Sequence, residues 1–227
     1  MITSAAPVRV GHTDLLAPRV GLGTAVLGNF QQAISDADAI AVIDRALAGG
    51  VRYIDTAPLY GYGLAEQRVG RVITGRARAG LVISTKVGRL LREDAPRDDS
   101  QYHDGVPFYK EVPSTGPVWD FSYGGVRRCV EESLERTRAG RFDILHLHDP
   151  EDHLPQASTT AYRALSDLRA EGSVTAIGAG SKLAWPLSEL IRSCDLDVCS
   201  WPAATRCSTS PRWPTCCRCA RAAASRW

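Results

Sequence analysis

The sequence predicts an α/β fold in which a parallel sheet rolls into a (β/α) barrel. Strand-like and helix-like segments alternate about five times along the chain. The strand candidates are apolar almost throughout, as strands covered by helices on a sheet face must be. Three of them end in a lone polar residue, Asp55, Lys86 or His148, and in a parallel barrel every strand end of that kind opens on one rim.

The elements follow in order. Val8–His12 and Pro18–Thr24 read as short strands, the first belonging to a hairpin that plugs a barrel floor. Asp36–Ala48 reads as a helix, with Ser35 as N-cap, Ile40, Ile43 and Leu47 as its buried stripe, and Gly49-Gly50 as its stop. Val51–Asp55 is a β-branched strand that runs into Pro58, Tyr60 and Gly61. Leu64–Thr74 reads as a helix and Leu81–Lys86 as a strand. Val87–Asp120, rich in Pro, Gly and charge, reads as a long functional loop. Ser122 caps a helix carrying Val126, Val130, Leu134 and Thr137 on one face. Phe142–His148 and Val174–Gly178 read as strands, Ala161–Ala170 and Trp185–Arg192 as helices, and Leu196–Val198 begins a sixth strand.

Composition excludes several classes. Net charge is +2, with 44% apolar and 23% charged residues, which gives no argument for nucleic acid or a membrane surface as partner. No apolar run is long enough to span a bilayer, and no basic-then-apolar N-terminus marks a leader, so the expected location is cytoplasmic. Arg outnumbers Lys 24 to 3, the usage of a GC-rich coding sequence.

Asp55, Lys86, His148 and the nearby Tyr60 suit proton transfer coupled to hydride transfer. A phenol titrates near 10, and an adjacent ammonium favours its phenolate. Lys86 supplies that charge and is expected to draw Tyr60 toward neutrality. Asp55 holds Lys86 by an ion pair, and His148 orients a substrate oxygen. Each residue taken alone reads as a solvated strand end, and Tyr60 as a packing residue; the pattern rests on all four together. A His146-x-His148 metal site lacks further ligands nearby, so no metal is expected. His146 is left between a packing role and a place on the His148 face.

The motifs Asp55-Thr56-Ala57-x-x-Tyr60-Gly61, Ser84-Thr85-Lys86 and Asp143–Pro150, with Gly21-Leu22-Gly23-Thr24 before them, resemble those of the aldo/keto reductase superfamily in order and spacing. Val118–Ser122 and His148–His153 resemble its sugar dehydrogenase branch, which acts on L-fucose, D-arabinose and related aldoses. The resemblance implies a (β/α)8 TIM barrel, here incomplete at about five to six βα units, that binds NADP or NAD without a Rossmann fold. It implies Tyr60 as general acid/base, Lys86 as its partner, Asp55 paired to Lys86, and His148 orienting a carbonyl or sugar substrate. Gly23, Thr24 and Asp55, together with Gly180 and Ser181, fall where the family contacts the cofactor. Lys182 stands where that family usually has an Asn for the nicotinamide carboxamide. Three functional readings follow. One is an aldose dehydrogenase, another an inactive fragment or cofactor-binding regulatory module, and the third a lyase with a Schiff base on Lys86.

Residues 199–227 carry five of the seven Cys and no Ile, Leu, Val, Gly, Asp or Glu, so the barrel is expected to occupy 1–198. Cys216-x-x-Cys219 allows a zinc site, the Arg content a disordered arm, and the composition an out-of-frame tail. GC-rich Leu, Ala and Asp codons read one base out of register yield these residues. The expectation adopted is a frameshifted, truncated chain, inactive or unstable.

Overall fold

The structure, a computed structural model, describes residues 6–76, 78–93, 95–96 and 102–201. Residues 202–227, with Cys216-x-x-Cys219, lie outside the described residues.

A hairpin opens the fold, β1 (Val8–Arg9) pairing antiparallel with β2 (Leu16–Ala17). β3 (Leu22–Gly23) starts the main sheet. α1 (Asp36–Ala48) has the expected limits. Ser35 Oγ accepts from the Asp38 N–H at 3.1 Å, a cap worth about 1 kcal/mol. Its core contacts are Ala39 and Ile43, while Ile40 and Leu47 are only partly buried. Then come β4 (Tyr53–Asp55), α2 (Leu64–Ile73) and β5 (Val82–Val87).

The Val87–Asp120 segment departs from the expected loop. β6 (Arg89–Arg92), β7 (Tyr102–His103), β8 (Val106–Pro107) and β9 (Gly116–Trp119) lie inside it. β6 and β9 form an antiparallel ribbon with Arg89 opposite Trp119 and Leu91 opposite Pro117, and β7 pairs with β8. A two-stranded ribbon has edges on both sides, so Pro117 is tolerated there without a ladder N–H. The proline and charge density that read as loop is compatible with such a ribbon.

α3 (Tyr123–Thr137) is capped by Ser122, whose Oγ accepts from Gly125 N–H at 3.0 Å. β10 (Ile144–His148), the short α4 (Leu154–Gln156), α5 (Tyr162–Ala170), β11 (Ala176–Gly180), α6 (Ala184–Ser193) and β12 (Val198–Ser200) complete the described chain. β12 runs past Val198, since Cys199 and Ser200 pair with Ala179 and Gly180.

The six-stranded sheet has the order β3-β4-β5-β10-β11-β12 and every neighbouring pair is parallel. Spatial order equals chain order, the winding of a (β/α) barrel; the curled sheet is an incomplete one. Alternate residues divide between its faces. Ile83, Val87, Leu145, Leu147, Ile177 and Ala179 pack with the helices in the main core. Val82, Ile144 and Ala176 pack instead with Val10 and Ala17, so the N-terminal hairpin covers the strand starts. Continuing along that second face by twos gives Ser84 and Lys86 on β5 and His146 and His148 on β10. The interior therefore turns from apolar to polar toward the strand ends, and that gradient positions the site. Among the described residues no helix is long and apolar enough to cross a membrane.

Candidate active site

The turn after β4 places Tyr60. Gly28 and Gly61 bring two backbones together: a Cβ on Gly28 would lie 2.5 Å from the Tyr60 carbonyl carbon, and one on Gly61 would collide with Gly28. Gly61 also has φ +63°, which glycine adopts without strain. The Tyr60 turn is thus pinned against the segment that follows β3.

Asp55 ends β4 and receives two neighbours from β5. Lys86 Nζ donates to Asp55 Oδ2 at 2.6 Å and Ser84 Oγ to Oδ1 at 2.6 Å. Lys86 Nζ also donates to the Thr56 carbonyl at 2.9 Å. The same ammonium lies 4.6 Å from the Tyr60 ring centroid, and the His148 ring meets Tyr60 edge-on at 6.0 Å. Asp55, Tyr60, Lys86 and His148 therefore converge as their strand positions led one to expect. His146 shares the inner face of β10; it is buried, and its Nδ1 has no hydrogen-bond partner among the described residues.

Charge in this group is set by burial as much as by neighbours. Burial acts to lower the Lys86 pKa, but Asp55 and Tyr60 outweigh it, so the value lies above the ordinary 10.5 and the ammonium persists. The expectation that Lys86 draws Tyr60 toward neutrality is corrected here. Burial pushes the phenol above 10.0, and the opposing pull of Lys86 does not overcome it. Tyr60 is a protonated acid at pH 7. His148 is driven well below 6.5 by burial, then by Arg89 and Lys86, and so is neutral. Burial brings His146 down to about 4. A neutral imidazole orients an oxygen without competing with Tyr60 as proton donor.

Tyr60, Lys86 and His148 open into a cleft of about 470 Å³. Gly180, Ser181 and Lys182 line it on the β11 side and Ser200 and Trp201 at the end of β12. On the β3 side the lining residue is Ala25; Thr24 is buried, its Oγ1 donating to the Asp55 carbonyl at 3.0 Å, and Gly23 is exposed. The Val87–Asp120 segment contributes Phe108, Tyr109 and Trp119. Arg89, Asp149 and Glu66 were given no role from sequence. Arg89 and Asp149 line the cleft beside His148. Glu66 is fully buried on α2 and bonds both Thr85, the residue before Lys86, and Arg136. The signal for Glu66 was a carboxylate on the stripe of Val69, Val72 and Ile73.

Residues 19–200 match the Aldo/keto reductase family. The chain is 44% identical over 186 residues to D-threo-aldose 1-dehydrogenase of a Pseudomonas species, covering 81% of this chain and 56% of that protein. It is 34% identical over 209 residues to pyridoxal 4-dehydrogenase of Microbacterium luteolum, covering 83% and 59%. The chain thus spans little more than half the length of these relatives. Among solved structures, the holo form of aldo-keto reductase AKR11C1 from Bacillus halodurans superposes with a TM-score of 0.69 at 25% identity, covering 94% of this chain and 63% of that one. An aldo-keto reductase from Klebsiella pneumoniae solved with NADPH shares the fold, with a TM-score of 0.57. With its parallel sheet, its motifs and its profile in agreement, the chain belongs to the aldo/keto reductase family of oxidoreductases.

Proposed function

We propose that the chain carries the site of an NAD(P)-dependent oxidoreductase acting at C1 of an aldose or on a related carbonyl. The observation that carries this reading is the convergence of Tyr60, Lys86 and His148 at one cleft, with Asp55 paired to Lys86. The similarity to a D-threo-aldose dehydrogenase supports the substrate class.

The residues present fit the nicotinamide half of NADP or NAD. Gly180 leaves the β11 end without a side chain, Ser181 offers a hydroxyl, and Trp201 offers a flat ring at the cleft. Lys182 donates where an Asn would both donate and accept, so Glu151, which already accepts from Ser181 Oγ at 3.0 Å, is the carboxylate at hand for an amide N–H. Bound nicotinamide supplies or accepts the hydride. In the reductive direction Tyr60 gives its proton to the substrate oxygen, while neutral His148 holds that oxygen by a hydrogen bond. Lys86, fixed by Asp55 and the Thr56 carbonyl, stabilises the phenolate left behind. In the oxidative direction the same phenolate takes the proton of the C1 hydroxyl.

The sign of the pH dependence follows from the raised Tyr60 pKa. Oxidation needs phenolate, so its kcat/KM is expected to climb from pH 7 toward 10. Reduction needs phenol and is expected to stay level over that range. Initial rates with D-arabinose and NADP or NAD, against reduction of a simple aldehyde, measure both limbs. Oxidation independent of pH would remove Tyr60 from the chemistry.

A second reading, cofactor binding without turnover, rests on Gly180, Ser181 and Trp201 alone, since that part of the cleft can hold a nicotinamide without any proton transfer. Fluorescence titration with NADPH and NADH beside the rate assay separates the two.

A further inference from the structure

Arg89 and Asp149 form an ion pair in the cleft wall that the proton-transfer chemistry does not use. Arg89 is buried, and its guanidinium carbon sits 3.9 Å from the Trp119 ring centroid. That stacking fixes the group in place. Its two terminal nitrogens reach one oxygen, Asp149 Oδ2, at 3.4 and 3.3 Å. A carboxylate serving only as counter-ion would take the shorter, bidentate geometry.

Asp149 is held by its backbone as well. Its φ is +43°, in the left-handed region, and its N–H donates to the Gly180 carbonyl at 2.8 Å. Non-glycine residues held there mark sites where the surroundings dictate the conformation. The result places Oδ2 3.6 Å from His148 Nε2. That separation is too long for a good hydrogen bond, yet the carboxylate stands next to the atom that orients the reacting oxygen. In a sugar, the oxygen on the neighbouring carbon lies about one hydrogen-bond length from the reacting one.

We propose that Asp149, held by Arg89, accepts a hydrogen bond from the hydroxyl on the carbon adjacent to the reacting carbon. The cleft thereby selects an uncharged α-hydroxylated aldose over its deoxy counterpart. This rests on the aldose reading above. Neutrality follows from the lining charges. Among the described residues the lining sets Lys86, Arg89 and Lys182 against Asp149, Glu151 and Asp152, with Lys86 held by Asp55 and Arg89 by Asp149, so the cleft offers no net positive charge to a carboxylate or phosphate.

The test is sugar binding to the full chain with NADP or NAD present, read by saturation-transfer NMR. D-arabinose is compared with 2-deoxy-D-ribose, which is D-arabinose without its C2 hydroxyl. The expected preference for D-arabinose is about tenfold to a hundredfold, the range of a hydrogen bond to a charged group. Asp149→Gly, which adopts the same backbone conformation and has no side-chain acceptor, is expected to bind the two sugars alike. Equal binding by the unaltered chain, or binding of neither sugar, overturns the proposal. So does a preference retained in Asp149→Gly. A preference that Asp149→Gly abolishes, without turnover in the unaltered chain, leaves the subsite standing and removes the hydride-transfer reading instead.

Discussion

Tyr60→Phe is expected to lower turnover in both directions by about 10²- to 10⁴-fold, the contribution of a positioned general acid or base. At about 1.36 kcal/mol per factor of ten, that is roughly 3–5 kcal/mol of transition-state stabilisation. Lys86 is locked to Asp55 at 2.6 Å and to the Thr56 carbonyl at 2.9 Å, so it does not replace the phenol as acid. His148 is neutral and held so by burial, Arg89 and Lys86. Neither neighbour is a ready proton source near pH 7. The ring itself survives in phenylalanine, with its packing against the cluster of Leu59, Tyr62 and Tyr109 and its edge contact with His148. Melting temperature and nicotinamide binding are therefore expected to change little while the rate collapses. A variant that retains turnover would mean that the proton comes from elsewhere.

The parts of this site legible in the sequence were those written into single strands. Asp55 and His148 end their strands and Lys86 stands one residue before the end of its own, and in a parallel sheet that alone brings them to one rim. α1 was legible to the residue because Ser35 and Gly49 mark its ends by local chemistry. What escaped depended on partners far along the chain. The ribbon of β6 and β9 pairs residues such as Arg89 and Trp119, and neither half carries a clean alternating pattern. Asp149 is one motif residue without a role of its own in the sequence until Arg89 and His148 are seen beside it. The Tyr60 pKa was misjudged because only the charge of Lys86 shows in sequence, whereas the burial that outweighs it is a property of the assembled wall.

Glu66→Ala is expected to be the most destabilising substitution near the site, at about 3–5 kcal/mol, because it removes one partner of a buried pair. Glu66 Oε2 accepts from Arg136 Nε at 2.6 Å, and Oε1 from Thr85 Oγ1 at 2.8 Å. The Glu66 side chain is 0% exposed and that of Arg136 only 16%. Alanine leaves a largely buried guanidinium without its short partner, the remaining carboxylate of Glu132 lying 4.0 Å away, and a buried hydroxyl without its acceptor. For a chain of this size a loss of 1 kcal/mol lowers Tm by about 2–4 °C, so a fall of roughly 10 °C is expected by calorimetry. Glu66→Gln keeps an acceptor for Thr85 and should lose less. Replacing Glu66 and Arg136 together by Met is expected to recover much of the loss, since no charge then stays buried alone. The functional consequence follows from where the clamp lies. α2 begins just after the Tyr60 turn, with Ala65 N–H donating to the Tyr60 carbonyl at 3.1 Å, and Thr85 is the neighbour of Lys86. Glu66 thus ties the helix that steadies Tyr60 to the strand that carries Lys86. Below its melting point Glu66→Ala is therefore expected to lose kcat more than substrate affinity, because the proton donor and its cation no longer hold one geometry. Full activity in a variant with the lowered Tm would show that the clamp stabilises the fold and contributes nothing to the alignment of the site.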